Sequence, residues 1–208
     1  LVDRLHVWNN NDYGVYVSAD SNNVTVRDSI LHGDGATAAS DQRWNLWIAG
    51  PGATVDGNTL YHAPAAATGY GAFVDTTGGV TLVDNEAHGN NVGFEITADG
   101  TIVASGNMAH NNLTGFRFDA QSAATPGDIH DLTAYDNGVG IELNGFTRIR
   151  TSTAHDNTTG VLMDGNVAMV AEQMTVYGNA TGVELREGTL RDGRVYDNSG
   201  RGVWLPPT

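Results

Sequence analysis

The stretch STAHDNTTGVLMDG, residues 152–165, decides the fold of this chain. It contains a small residue, a ring residue, a spacer and Asn, followed by Gly and an apolar-x-apolar triplet. The same phrase recurs as LTAYDNGVGIEL (132–143), MTVYGNATGVEL (174–185) and GRVYDNSGRGVWL (193–205). A phrase that recurs every 19 to 22 residues predicts a repeat architecture.

The ring residue is the most regular feature of the repeat. Alignment on it gives nine copies, 19 to 29 residues apart: Trp8, His32, Tyr61, His88, His110, Tyr135, His155, Tyr177 and Tyr196. An apolar residue precedes each ring, and Asn follows two positions after seven of the nine. Strand alternation points the apolar residue inward and the ring outward. Because His, Tyr and Trp interchange in this column, we interpret it as a ladder of stacked rings.

Each copy has the pattern of three short strands separated by Gly, Asn and Asp turns. A repeat of this size cannot bury its own apolar face, but stacked repeats can. The sequence therefore predicts an all-β fold, a right-handed single-stranded parallel β-helix of about nine rungs. We expect one domain over residues 1–208, and, because it opens inside a repeat, a fragment of a longer chain. The inward residues should include Phe94, Phe116, Ile141, Val161, Val183 and Val203.

The composition excludes several classes of function. Twenty-four acidic residues against ten arginines give a net charge of −14, which opposes binding to nucleic acid and to anionic membranes. No apolar run approaches the roughly 20 residues of a membrane helix, so we expect no membrane insertion. The absence of cysteine excludes disulfides and thiolate chemistry. These features suit an extracellular or cell-surface protein, and they fix no oligomeric state.

The segments AHDNTTGVLM (154–163) and VYGNATGVEL (176–185) carry a family resemblance. They resemble the repeats of the pectate-lyase-like β-helix superfamily, in particular those of mannuronan C5-epimerases and of NosD-type carbohydrate-binding and sugar-hydrolase proteins. The resemblance implies a module that binds an extracellular polysaccharide and, if catalytic, acts as a lyase, epimerase or hydrolase. The epimerases' Asp-Pro-His does not follow Tyr70-Gly71, and the absence of Lys excludes a lysine-based lyase. The alternative is a non-catalytic adhesive shaft or a phage-type stalk.

Two insertions, residues 33–44 and 62–70, separate the ring strand from the Gly-apolar strand of their rungs. Active sites of the superfamily usually lie on one sheet and its loops, and we assign that sheet to the Gly-apolar-x-apolar strands. The insertions should rise beside it as a wall and gather flat rings that suit sugar faces. The expected substrate-binding residues are Trp44, Trp47, His62, Tyr70 and Phe73. The alternative is an aromatic ladder that packs only on itself.

Three charged residues, Glu95, Arg117 and Glu142, follow these aromatics on consecutive rungs. The two carboxylates are about 9–10 Å apart by strand spacing, near the separation in inverting glycosidases. They are the candidate catalytic residues. Arg117 should pair with both and lower their pKa values, which is the opposite of what a general acid needs, so a surface ion ladder is the alternative.

Metal sites have weaker support in the sequence. His88 and His110, on adjacent rungs, would supply only half of a zinc site, and we predict no metal centre. An acidic series, which we expect to form one column along the solenoid, precedes the ring strands: Asp28, Asp56, Asp84, Asp131, Glu172 and Asp192. Its expected role is to cap turns. We predict no cofactor, and calcium bound between rungs is the alternative left open.

Overall fold

The computed structural model describes residues 1–34, 42–63, 69–120, 127–145, 147–165 and 168–207. Every regular element in these ranges is a strand, and the strands form three parallel sheets of nine. Successive strands visit the three sheets in turn and then move one rung along. The described ranges contain no helix with the length and apolarity that a membrane crossing requires. The predicted parallel β-helix is confirmed, with nine rungs separated by eight full turns.

Sheet I holds the short strand that precedes each ring strand. Its members are β1 (Val2–Asp3), β4 (Thr25–Arg27), β7 (Ala53–Asp56), β10 (Val80–Val83), β13 (Ile102–Ser105), β16 (Asp128–His130), β19 (Arg148–Arg150), β22 (Val170–Glu172) and β25 (Thr189–Arg191). Sheet II holds the ring strands β2 (His6–Trp8), β5 (Ile30–His32), β8 (Thr59–Tyr61), β11 (Glu86–His88), β14 (Met108–His110), β17 (Thr133–Tyr135), β20 (Thr153–His155), β23 (Thr175–Tyr177) and β26 (Arg194–Tyr196).

Sheet III holds the Gly-apolar-x-apolar strands. Its members are β3 (Tyr13–Val17), β6 (Trp44–Ile48), β9 (Tyr70–Thr76), β12 (Val92–Ala98), β15 (Thr114–Ala120), β18 (Val139–Gly145), β21 (Thr159–Met163), β24 (Thr181–Leu185) and β27 (Arg201–Trp204). Its strands reach seven residues, against four in sheet I and three in sheet II. Sheet III is therefore the widest of the three faces.

The interior is a continuous column of inward side chains. Phe94, Phe116 and Ile141 are buried and pair in register, and the two Phe rings stack with centroids 5.1 Å apart. The predicted inward phase is thus confirmed. Val203 is 44% exposed because it lies on the last rung and has a neighbour on one side only.

Two ladders of buried asparagines hold the corners between sheets. The first ladder follows the ring strands, and each Asn donates from its backbone N–H and its Nδ2 to Oδ1 of the next, in the order Asn90, Asn112, Asn137, Asn157, Asn179 and Asn198. Where the insertions interrupt it, Asn45 of β6 donates to Asn90 Oδ1 at 3.3 Å. A second ladder was not predicted: Asn58, Asn85 and Asn107. Both satisfy amides that burial would otherwise leave unpaired.

The acidic series, expected as one column, divides into two registers. Four members lie at turns with φ between 50° and 55°, a left-handed conformation that Asp tolerates: Asp28, Asp84, Asp131 and Asp192. Asp56 and Glu172 lie one residue earlier, at the ends of β7 and β22. Glu172 accepts hydrogen bonds from both Arg148 and Arg191. The single column is therefore wrong, although the expected turn role fits the four Asp residues.

Candidate functional site

The outward side chains of sheet III form one long surface, called here the sheet III face. Strand register places its central residues in a single column: Tyr16, Trp47, Phe73, Glu95, Arg117, Glu142, Leu162, Glu184 and Trp204. The column contains the predicted residues Trp47, Phe73, Glu95, Arg117 and Glu142 on consecutive rungs. The aromatic and charged candidates therefore lie on the same face, in adjacent rungs.

The first three rungs of this face carry an aromatic patch of six rings: Tyr13, Tyr16, Trp44, Trp47, Tyr70 and Phe73. They form two ladders, since Tyr13, Trp44 and Tyr70 pair in register beside the central column. The ladders contact each other, with centroids 5.3 Å apart for Trp44 and Trp47 and 5.1 Å for Tyr70 and Phe73. Tyr13 was missed by the sequence analysis. The spacing aromatic-x-x-aromatic, repeated in all three rungs, was the signal that could have found it.

The patch is open to solvent at one end and partly covered at the other. Tyr16 is 51% exposed, whereas Trp44, Trp47, Tyr70 and Phe73 are partly buried. The Arg43 guanidinium lies 4.5 Å from the Trp44 ring centroid. The buried indole N–H groups of Trp44 and Trp47 make no hydrogen bond to any residue that the structure describes. The patch therefore presents ring surface to solvent, while two of its donors are buried with no partner among the described residues, which is costly.

His62 lies away from the other predicted substrate-binding residues. It follows β8 and packs edge-on against Tyr61 at 5.1 Å and His88 at 6.1 Å, both on sheet II. The other four, Trp44, Trp47, Tyr70 and Phe73, come together in the aromatic patch. Most of the two insertions, residues 35–41 and 64–68, lies outside the described residues. The wall expected from them stays a prediction.

Next to the patch lies a triad of charged side chains. Arg117 donates from a terminal nitrogen to Glu95 Oε2 at 2.9 Å and from Nε to Glu142 Oε2 at 3.0 Å. The three side chains are only 13–29% exposed. Asn144 donates to the remaining oxygen of Glu142 at 3.1 Å. The structure thus brings the three candidate catalytic residues together as an ion triad.

The pKa of Glu95 differs from the expectation. Burial raises it, because lost hydration opposes the charged carboxylate more than Arg117 favours it. Arg117 does lower the pKa of this carboxyl, as expected, but burial outweighs it, so the expected net lowering is wrong. Burial also raises the pKa of the Tyr70 hydroxyl, and the Glu95 charge adds to the effect. The Glu95 carboxyl, at the end of the patch next to Phe73, therefore holds its proton more readily than an exposed glutamate does.

A second arginine is paired in the same way near the other end of the face. Arg186 donates from Nε to Glu184 at 2.7 Å and from a terminal nitrogen to Asp164 at 2.5 Å. These residues border an open cavity of about 440 Å³, lined also by Glu187, Trp204, Pro206 and Pro207. The Arg201 guanidinium lies 4.1 Å from the Trp204 ring centroid. Arg117 and Arg186 are thus each held between two carboxylates.

The ring column on sheet II forms the predicted ladder. From His32 to Tyr196, consecutive centroids are 4.4–5.3 Å apart and the planes tilt by 13° or less. Burial lowers the pKa of His88, and the neighbouring His110 charge adds to the effect. Across the described ranges, no three His, Asp or Glu side chains converge as metal ligands would.

Comparison with known proteins agrees with this architecture. A family model described as "Periplasmic copper-binding protein (NosD)" matches residues 51–207. The solved structure of the Azotobacter vinelandii mannuronan C-5 epimerase AlgE4 A-module matches with a TM-score of 0.70 and 18% identity. The match covers 93% of this chain but 59% of the module, so the chain spans about three fifths of that structure, and the likeness is one of fold. No curated protein matches the chain.

Proposed function

The chain belongs to the NosD family of right-handed β-helix proteins, and from this premise we propose that it binds a polysaccharide along the sheet III face. The aromatic patch is the observation that carries the proposal. Six rings on three successive rungs form one surface, and flat rings stack on the apolar faces of sugars. A polymer lying along the helix axis would contact both ladders and then reach Glu95.

The proposed location is outside the cytoplasm, either periplasmic or extracellular. The description of the family as periplasmic supports this placement. The lack of cysteine and the net charge of −14 are compatible with it. In either compartment the sheet III face would meet cell-surface or secreted glycans.

The name of the family refers to copper, but the described histidines do not fit a copper centre. Copper needs converging nitrogen or sulfur donors. The Nε2 atoms of His6 and His32 lie 2.9 Å apart, but no third His, Asp or Glu in the described ranges converges on this pair. His88 and His110 stack face to face. The lone pairs of their ring nitrogens lie in the two parallel ring planes and therefore do not point at a common metal position. No step of the proposed function therefore involves copper.

Calcium bound between rungs stays a prediction. The turn residues Asp28 and Asp84 lie two rungs apart, and Gly57 occupies the rung between them. At this turn position, the rung between Asp28 and Asp84 therefore has no carboxylate that could bridge a cation to either of them. Calcium prefers six to eight oxygen ligands, so this series would need water or backbone oxygens to complete a shell.

A second candidate function is chemistry on the bound glycan at Glu95. The raised pKa of this carboxyl, next to Phe73 in register, favours a role as proton donor. Against hydrolysis, Arg117 lies between Glu95 and Glu142, where an inverting enzyme holds its water. The geometry therefore supports binding better than cleavage. Reducing-end and unsaturated-product assays on the wild type and on Glu95→Gln decide between the two.

Affinity electrophoresis against a panel of polysaccharides tests the proposal. We expect at least one polymer to retard the wild type and Trp47→Ala to weaken that binding about fivefold or more, the loss of roughly 1 kcal/mol of aromatic contact. Trp8→Ala is the matched control, because Trp8 is an exposed Trp on sheet II. If no polymer binds, or if both variants lose affinity equally, the chain is a structural shaft or binds elsewhere.

A further inference from the structure

The charges of the sheet III face bear on which class of polysaccharide it can bind. A polyuronate carries a carboxylate on every sugar, and proteins bind such groups with arginines that offer free N–H donors. Arg117 lies in the middle of the face and Arg186 near its end. Arg117 already donates to Glu95 and Glu142, and Arg186 to Glu184 and Asp164. Both guanidinium groups are therefore neutralised by the protein's own carboxylates.

Binding a uronate at Arg117 would have an additional cost. The guanidinium would have to release Glu95 or Glu142, and these side chains are only 13% and 17% exposed. A partly buried carboxylate that loses its partner is strongly destabilised when charged. The uronate would thus exchange one carboxylate for another and gain no net attraction.

The overall charge of the face is also unfavourable for an anion. Its described outward strand residues and those directly after the strands include seven acids and three arginines: Asp75, Glu95, Asp99, Asp119, Glu142, Asp164, Glu184, Arg117, Arg186 and Arg201. Arg43 adds a fourth guanidinium at the Trp44 ring. The acids still outnumber the arginines, within a protein of net charge −14. A polyanion approaching this face would meet like charge along its length.

The same groups suit a sugar polymer without charge. Carboxylate oxygens accept hydrogen bonds from sugar hydroxyls, and the aromatic patch supplies stacking surface at one end. We therefore propose that the sheet III face binds a neutral polysaccharide and discriminates against polyuronates. This inference rests on the proposed function and adds the substrate class to it. It also distinguishes the chain from the mannuronan epimerase module whose fold it shares, since mannuronan is a polyuronate.

Matched polymers that share a backbone and differ in charge test the substrate class. Suitable pairs are polygalacturonate with its methyl ester, alginate with its propylene glycol ester, and carboxymethyl with hydroxyethyl cellulose, all in EDTA. In the pair that binds, we expect the neutral member to bind about tenfold tighter at low salt, with the difference shrinking as salt screens the repulsion. A charged member that binds equally or more tightly overturns the inference. If no member of any pair binds, and no other polymer of the panel binds, the proposed function itself is wrong.

A charge variant tests the role of the paired arginine. The double variant Asp164→Asn, Glu184→Gln releases Arg186, and its affinity for a charged polymer should rise about three- to tenfold. Asp28→Asn, Asp84→Asn is the matched control, because it removes the same charge at turns off the face, where Asn adopts the same positive φ. An equal gain in both variants would show that net charge alone acts, which contradicts the assignment to Arg186.

Discussion

Replacing Asn137 with alanine tests whether the asparagine ladder stabilises the fold. Asn137 is 4% exposed and takes part in five side-chain hydrogen bonds. Its Nδ2 donates to the carbonyls of Ala109 and Tyr135 and to Asn157, and its Oδ1 accepts twice from Asn112. At about 0.5–1.5 kcal/mol for each bond, with the buried N–H of Asn112 left unpaired, we expect a loss of about 3–5 kcal/mol.

Urea unfolding followed by circular dichroism measures this loss. Asn198→Ala is the matched control, since Asn198 belongs to the same ladder but lies at its last rung, where water can replace the lost bonds. It should cost about 1 kcal/mol. If Asn137→Ala costs less than about 1 kcal/mol, or no more than the control, then turn conformation rather than the buried ladder stabilises the corner.

Further expectations concern the core, the ring column and the triad. Phe116→Ala should cost about 3–5 kcal/mol in calorimetry, since it removes a buried ring stacked on another, and a loss below about 1 kcal/mol would refute the inward phase. Because the folded state lowers the pKa of His88, the unfolded chain takes up that proton first. Stability should therefore fall as pH drops through the usual His range near 6.5, and replacing His88 and His110 with Tyr should flatten the pH profile. Arg117→Leu leaves Glu95 without its partner and should destabilise the fold more at pH 8 than at pH 5, as thermal unfolding at both values would show.

Periodicity predicted the fold and the main column of the site. Each rung repeats one pattern, so aligning the ring residues also aligned the outward positions of sheet III, from Tyr16 to Trp204. Once Asn and Gly fix the corners between the sheets, the strands of adjacent rungs can pair in few other registers. The residue that follows each repeated Gly-apolar pair was enough to place Glu95, Arg117 and Glu142 on consecutive rungs.

Periodicity could not predict how deeply each side chain is buried, nor the features that lie outside the main repeat pattern. The pKa of Glu95 depends on how far its rung is buried, and a list of charged neighbours does not give burial. The ladder of Asn58, Asn85 and Asn107 lies three positions before the ring, and only a fixed offset marks it. His62 occupies a turn beside sheet II, so its position in an insertion did not reveal which face it joins.

The direction of the hydrogen bonds has a mechanical consequence. In all three sheets the strands cross the long axis, and the bonds between rungs run along it. A pulling force applied at the two ends of the chain therefore loads the outermost rung first and peels the solenoid one rung at a time. Each rung of 19 to 29 residues releases roughly 65–100 Å of extended chain, so the molecule would lengthen in discrete steps under tension. Such a body yields gradually and keeps its remaining rungs folded.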